Sequence, residues 1–389
     1  MTSRTADSSK NVSETSYDRE GRERETRPVG RRDLDLGSIG ELQIIDPDGH
    51  ADEAMDPQLP DEELLRVYRA MVLTRTFDVR MLRMQRQGKM GTFAPGYGQE
   101  ATQIGQVYPL TKDDWYSPSY RSFGAQIWRG WEMERLMLLW DGFFEGFAPP
   151  PGVNDLPFSI VIGSHVPTAV GVAMGMRYRR DKHVMLTNYG DGAASQGVVA
   201  EAMNFAAVSR APAVFVCENN GWAISTPVAQ QTAVGVLATR GAGYGIPGIR
   251  VDGNDVLAMI VATNEAVDHA RRGDGPFLLE AVTYRMGVHT TADDPKVYRD
   301  EAEVEAWKRK CPIARFETYL RNRSLLDDES VQATEAACEA DVRAARERFD
   351  ARAKANPREV FDFMFEELPP ELEQQKQEYL RKLDRKNVE

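Results

Sequence analysis

The chain has 389 residues, with 60 acidic against 48 basic side chains, a net charge of -12 and a pI near 5.1. That balance argues against a protein that works by gripping nucleic acid, because phosphate contacts need a basic face. With 42% hydrophobic residues the chain can bury a large core, and its length predicts one large domain with appendages or two domains.

Cys217, Cys311 and Cys338 are widely spaced, odd in number and without a CxxC pair, which speaks against a disulfide framework or a cysteine zinc site. No apolar window is long enough to span a membrane and the N-terminus has no apolar signal core. A cytoplasmic protein with neither a membrane nor a nucleic-acid partner is therefore expected. The opening residues are rich in Arg and Ser, as transit peptides are, but acids such as Asp7, Glu14 and Asp18 speak against that reading. Residues 1–56 are read as a disordered leader, since so polar a stretch buries too little to offset its ordering entropy.

From Asp61, a plausible cap, Leu64, Leu65, Tyr68, Met71, Val72 and Phe77 recur at helical spacing and predict one long helix ending at Gly88. The glycines of "GTFAPGYGQEA" suggest a phosphate loop, but no GK[ST] follows and the Walker reading fails. "FSIVIG" predicts a short β-branched strand, with Ile160 and Ile162 as core residues, followed by a helix of small residues. Gly171 and Gly175, four apart, imply a close approach of two backbones, read as helix packing in the core with an interface as the alternative.

"KHVMLTNYGDG", a helix from about Ser195 to Ser209, and "APAVFVCENNG" make a βαβ unit whose parallel strands end at Gly190 and Glu218. A strand at Ile249–Val251, a helix from near Asp255 and a strand through Phe277–Tyr284 repeat the alternation. The fold class is thus α/β, a parallel sheet with helices on both faces, in a body spanning 57–300. Helical periodicity over 301–389 predicts an extension packed on that same body.

The chemistry sits where the two strands end. After Gly190, Asp191 and Gly192 come 26 residues and then Asn219 and Asn220. Neither GDG nor NN is specific alone, but at this spacing they bring a carboxylate and an amide oxygen to one spot beyond neighbouring strands, where open α/β sheets bind ligands. Gly190 and Gly192 allow main-chain N–H groups to approach a phosphate closely. Oxygen donors of this kind suit magnesium shared with phosphates. A bound diphosphate would repel Asp191 by roughly 4 kcal/mol at about 4 Å and an effective dielectric of 20, so a cation belongs between them.

This pattern is the thiamine diphosphate motif, and the chain from about 60 to 380 resembles the alpha subunit of the first, decarboxylating component of 2-oxo acid dehydrogenase complexes. The resemblance runs through "MQRQGKMGTFAPGYGQEA", "SPSYRSFG", "GDGAASQG", "NFAAV", "ENNGWAISTP", "GIRVDGNDV", "YRMGVHTTADDPKVYRD" and "PIARFETYL". It implies thiamine diphosphate and magnesium as cofactors. Asp191 and Asn220 would ligate the metal with the carbonyl of Trp222, where relatives often have Tyr. Gly192 and Ala193 would offer N–H groups to the diphosphate, Tyr120 and Arg121 would bind it, and Ile160 and Ile162 would meet the aminopyrimidine through their backbone.

His289 would reach the reacting end of the cofactor as the catalytic residue, and Asp293, Asp294, Tyr298 and Arg299 match a loop over the mouth of the site that helps dock the lipoyl domain. Three positions depart from the branched-chain pattern: Glu218 replaces an Arg directed at the diphosphate, Thr290 stands in place of a regulatory phosphoserine, and His165 in place of a Gln at a monovalent-ion site.

The implied reaction is oxidative decarboxylation of a 2-oxo acid, pyruvate favoured, with acyl transfer to the lipoyl domain of a dihydrolipoyl acyltransferase. The family's activating glutamate comes from a beta subunit, and nothing after residue 300 reads as a second α/β domain able to supply it, so an α2β2 heterotetramer is expected. The alternatives are a branched-chain (2-oxoisovalerate) or acetoin-cleaving alpha subunit and, from a different class, a noncatalytic metal-binding scaffold.

Overall fold

The computed structural model describes residues 39–353 and 355–386. The leader expected over 1–38 lies outside the described residues. Six strands form one parallel sheet in the order β1-β7-β8-β4-β3-β2. They are β1 Gly40–Leu42, β2 Trp115–Ser117, β3 Met185–Gly190, β4 Ala213–Asn219, β7 Gly248–Asp252 and β8 Phe277–Val282. Between β4 and β7, β5 Trp222–Ala223 and β6 Thr226–Pro227 make a small antiparallel hairpin.

Side chains along β4 alternate between two cores. Val214 and Val216 face the core that includes the long helix Asp61–Arg86 and the helix Val256–Arg272, whereas Ala213, Phe215 and Cys217 face the helices His165–Arg179 and Gly197–Ser209. Both faces of the sheet are therefore covered, which is why β3, β4 and β8 are buried along almost their whole length rather than at alternate residues. The helices Pro312–Asn322 and Asp328–Arg352 add Phe316, Leu320, Val342 and Phe349 to the first core. Among the described residues no helix is long and apolar enough to cross a membrane.

The structure corrects five local readings. Residues 40–56 are not leader: β1 pairs with β7, and Ile44 and Ile45 are buried. Asp61 is the first helical residue, and Pro60 occupies the cap position without a side-chain bond. The helix expected from about Ser195 to Ser209 begins two residues later, as Gly197–Ser209, and a separate short helix, Asp191–Ala194, precedes it. "FSIVIG" is a turn rather than a core strand, and Ile160 and Ile162 are 61% and 41% exposed. Gly171 and Gly175 are exposed, and a Cβ at either would meet nothing within 4 Å, so the close approach expected in the core is not made among the described residues.

Asp255 pins β1 to the body. Its carboxylate caps the helix Val256–Arg272 through Leu257 N (3.0 Å) and Ala258 N (3.1 Å), and accepts from Ile44 N and Ile45 N at 2.6 Å each. Burial pushes its pKa up to about 6 despite these four donors. Asp255→Ala would leave those N–H groups unpaired, and denaturant unfolding should register a loss of about 2–4 kcal/mol.

Candidate cofactor site

Parallel pairing of β3 with β4 sets Gly190 opposite Glu218, so Asp191 and Asn220 emerge side by side beyond the carboxyl ends of the two strands. A cavity of about 220 Å³ opens there. Nine of the ten site residues expected from sequence line it: Tyr120, Arg121, Ile162, Asp191, Gly192, Ala193, Asn220, Trp222 and His289. Ile160 does not, although its neighbours Ser159, Ile162 and Gly163 do.

The turn after β3 packs against β5 at a distance only glycine allows, since a Cβ on Gly192 would lie 2.8 Å from the Cβ of Ala223. Asp191 is buried at 2% exposure, which raises its pKa. The Gln231 amide, donating to Oδ2 at 2.7 Å, and the backbone N–H groups of Asp191 and Asn220 oppose that rise. Asn220 donates to Gln99 Oε1 (3.3 Å) and accepts from Trp222 N (3.3 Å), which fixes its amide oxygen on the turn. The donor set is therefore one carboxylate, one amide oxygen and backbone carbonyls. Among the described residues there is no cluster of three or more His, Cys, Asp or Glu side chains able to hold a metal.

Arg121 is buried and held by its surroundings. It donates to Pro95 O (2.5 Å) and His289 O (3.2 Å), and its Nη2 meets His289 Nδ1 at 3.2 Å. Asp78 fixes the loop carrying Pro95 by accepting from Gly96 N at 3.0 Å. Because a guanidinium has only donors, His289 Nδ1 must be the acceptor and the ring must be the neutral Nε2–H tautomer. Burial first, and then the Arg121 and Arg285 charges, push the His289 pKa down to about 3. Asp293 accepts from His289 N (2.7 Å) and Tyr298 Oη (2.6 Å), tying the following loop to the site.

A family model described as "Dehydrogenase E1 component" matches residues 68–358. The pyruvate dehydrogenase E1 component subunit alpha of Acholeplasma laidlawii is 43% identical over 334 residues, covering 85% of this chain and 97% of that one. The proteins of the same name from Staphylococcus aureus (strain Mu50) and Staphylococcus epidermidis (strain ATCC 35984) are 41% and 40% identical over 343 residues, each covering 88% of this chain and 93% of theirs. The chain belongs to the dehydrogenase E1 component family.

This E1 component is accordingly an oxidoreductase acting on 2-oxo acids, in a family that depends on thiamine diphosphate. Its site includes polar residues that the sequence pattern did not mark. Asn188 is the hub: Oδ1 accepts from Tyr116 Oη (3.1 Å) and Ser119 N (2.9 Å), while Nδ2 donates to Ser122 Oγ (2.6 Å) and Glu218 Oε1 (2.7 Å). It thereby holds the loop bearing Tyr120 and Arg121 against β3 and β4. Glu218 also accepts from Gln106 Nε2 at 2.8 Å, and burial raises its pKa. His165 donates from Nε2 to Asn188 O at 2.8 Å, and its Nδ1 has no partner among the described residues. Gln231 lies in no stretch whose spacing signals a site, and Asn188, two residues before Gly190, is not itself part of the GDG pattern.

His289 should stay neutral from about pH 8 down to about pH 5, whereas an ordinary imidazole titrates near 6.5. With its folded pKa depressed, its contribution to stability is complete above about pH 6.5 and is lost as pH falls toward 3. Histidine-selective ¹⁵N NMR, with five histidines to assign, should show that the His289 ring does not titrate in this window and that its pKa rises in Arg121→Gln; burial lowers the His165 and His269 values as well, so the assignment must separate the three rings.

Proposed function

We propose that this chain is the alpha subunit of a pyruvate-oxidising E1 component that binds thiamine diphosphate through magnesium and passes its acyl group to a lipoyl domain. The observation that carries the reading is the convergence of nine expected cofactor residues on one cavity at the carboxyl ends of β3 and β4. The pyruvate reading follows the printed names of the relatives, which favour neither the branched-chain nor the acetoin alternative. A noncatalytic scaffold would have no use for a desolvated, neutral His289 beside a buried Arg121.

The residues suit the absent groups. Asp191 is a buried carboxylate whose nearest compensating donors are neutral, so a divalent cation there would offset its desolvation, and the oxygen donors match magnesium. Asp191, the Asn220 amide oxygen and the Trp222 carbonyl would hold the metal. Gly192 and Ala193 N–H groups, with Tyr120 and Arg121, would hold the diphosphate. When bound, thiamine diphosphate supplies the nucleophilic carbon for addition to the 2-oxo group and the electron sink for loss of carbon dioxide. Since Arg121 occupies Nδ1 of His289, Nε2–H is the ring atom left to donate a hydrogen bond to an oxygen of the substrate.

A beta subunit would complete the site. The cavity is smaller than the roughly 300 Å³ of pockets that enclose a whole ligand. Its rim carries exposed Val161, Ile162 and Ile224, and the neighbouring helix faces present Gly171, Met174, Gly175, Tyr178, Phe205 and Val208 to solvent. Exposed apolar surface of this kind marks an interface, which supports the α2β2 assembly. The loop from Asp293 to Arg299, tied to His289, would meet the lipoyl domain of the dihydrolipoyl acyltransferase at the mouth.

Asp191→Ala mixed with its beta partner should retain the wild-type fold by circular dichroism and lose thiamine diphosphate binding by calorimetry; unchanged binding would refute the metal assignment. In the wild-type tetramer, lipoyl-domain acylation should be faster with pyruvate than with 2-oxoisovalerate or acetoin, and the reverse order would refute the substrate.

A further inference from the structure

The opposite end of the sheet carries a second cavity, of about 440 Å³, where β3 and β4 begin and three helices end. Arg177, Arg180, Lys182, Arg210, Arg271 and Arg272 line it, a concentration of positive charge in a chain of net charge -12. Two of the six are neutralised: Arg271 by Asp114 at 3.0 Å and Arg272 by Asp274 at 3.2 Å. Asp181 at the rim is already paired with Arg179 at 3.4 Å. Arg177, Arg180, Lys182 and Arg210 have no acidic partner among the described residues.

Cations at helix C-termini are ordinarily explained by the helix dipole, and that accounts for Arg177. It does not account for the backbone conformation of Arg180 and Arg210. Each is the residue that closes its helix, at φ 61° and 49°, in the left-handed conformation that a Cβ disfavours and that glycine normally takes. The third helix of the cavity obeys that preference with Gly273 at φ 87°. Two helix ends thus keep an arginine where glycine would relieve the backbone, and both arginines face the same hollow.

We propose that this cavity binds a small metabolite bearing two or more phosphate groups. Arginine forks hold phosphate oxygens in pairs, and the volume suits a small molecule rather than a protein surface. The site is separate from the diphosphate site, for the six residues of β3 span about 20 Å. Arg271, which also donates to Lys182 O at 3.1 Å, fixes the rim through Asp114.

The test uses the tetramer with thiamine diphosphate and magnesium saturating, titrated calorimetrically with fructose 1,6-bisphosphate and, separately, with ADP. One additional saturable site per alpha chain is expected for at least one probe, weakening as salt is raised. Arg180→Gly combined with Arg210→Gly should weaken that site at least about tenfold while leaving thiamine diphosphate affinity unchanged and the melting temperature equal or higher, since glycine relieves both helix ends. Absence of binding by both probes, binding that survives in the double variant, or displacement of the probe by polyglutamate at equal charge would overturn the proposal.

Discussion

The pairing of Gly190 with Glu218 is the constraint from which the site follows. In a parallel ladder the register fixes which residues leave adjacent strands together, and here they are Asp191 on one strand and Asn219 and Asn220 on the other. A slip of one residue would turn Asp191 and Asn220 away from each other and would exchange the two cores at the same time. The apolar content of β3 and β4, buried on both faces, therefore protects the chemistry as well as the fold. Asn188 and Glu218 tie the same two strand ends to the loop of Tyr120 and Arg121 through buried hydrogen bonds.

Electrostatics make this half-site dependent on what it binds. Asp191 and Glu218 are buried acids, both with raised pKa values, one facing the cavity turn and one satisfied by side-chain amides. His289 is held neutral by desolvation and by the arginines beside it. A cavity so arranged has anionic and cationic walls set close together, which suits a metal–diphosphate pair better than either ion alone. Its exposed apolar rim, with Val161, Ile162 and Ile224, is the complementary feature, since apolar surface of this kind calls for a second surface to exclude water.

Much of this was legible in the sequence because the signals are local or repeat regularly. The long helix from Asp61 declared itself by 3.6-residue spacing, the central strands by apolar stretches such as 184–186 and 213–217, and the turn after β3 by glycines around an acid at a fixed distance from two asparagines. What escaped depends on distant partners. β1 is three residues inside a polar stretch, and its place is set by the Asp255 carboxylate more than two hundred residues away. The turn at 159–163 has strand-like composition but lies on the cavity rim. Gly171 and Gly175 carry the spacing of close packing, yet no element among the described residues provides the opposing surface. Asn188 and Gln231 act through contacts whose partners lie far along the chain.

The most direct measurement is anomalous scattering from crystals of the tetramer grown with thiamine diphosphate and manganese in place of magnesium. The account predicts one manganese peak per alpha chain, bounded by an Asp191 carboxylate oxygen, the Asn220 amide oxygen and the Trp222 carbonyl at about 2.2 Å, with the remaining positions filled by diphosphate oxygens and water. Manganese bound elsewhere, or a diphosphate seated without contact to Asp191 and Asn220, would contradict it.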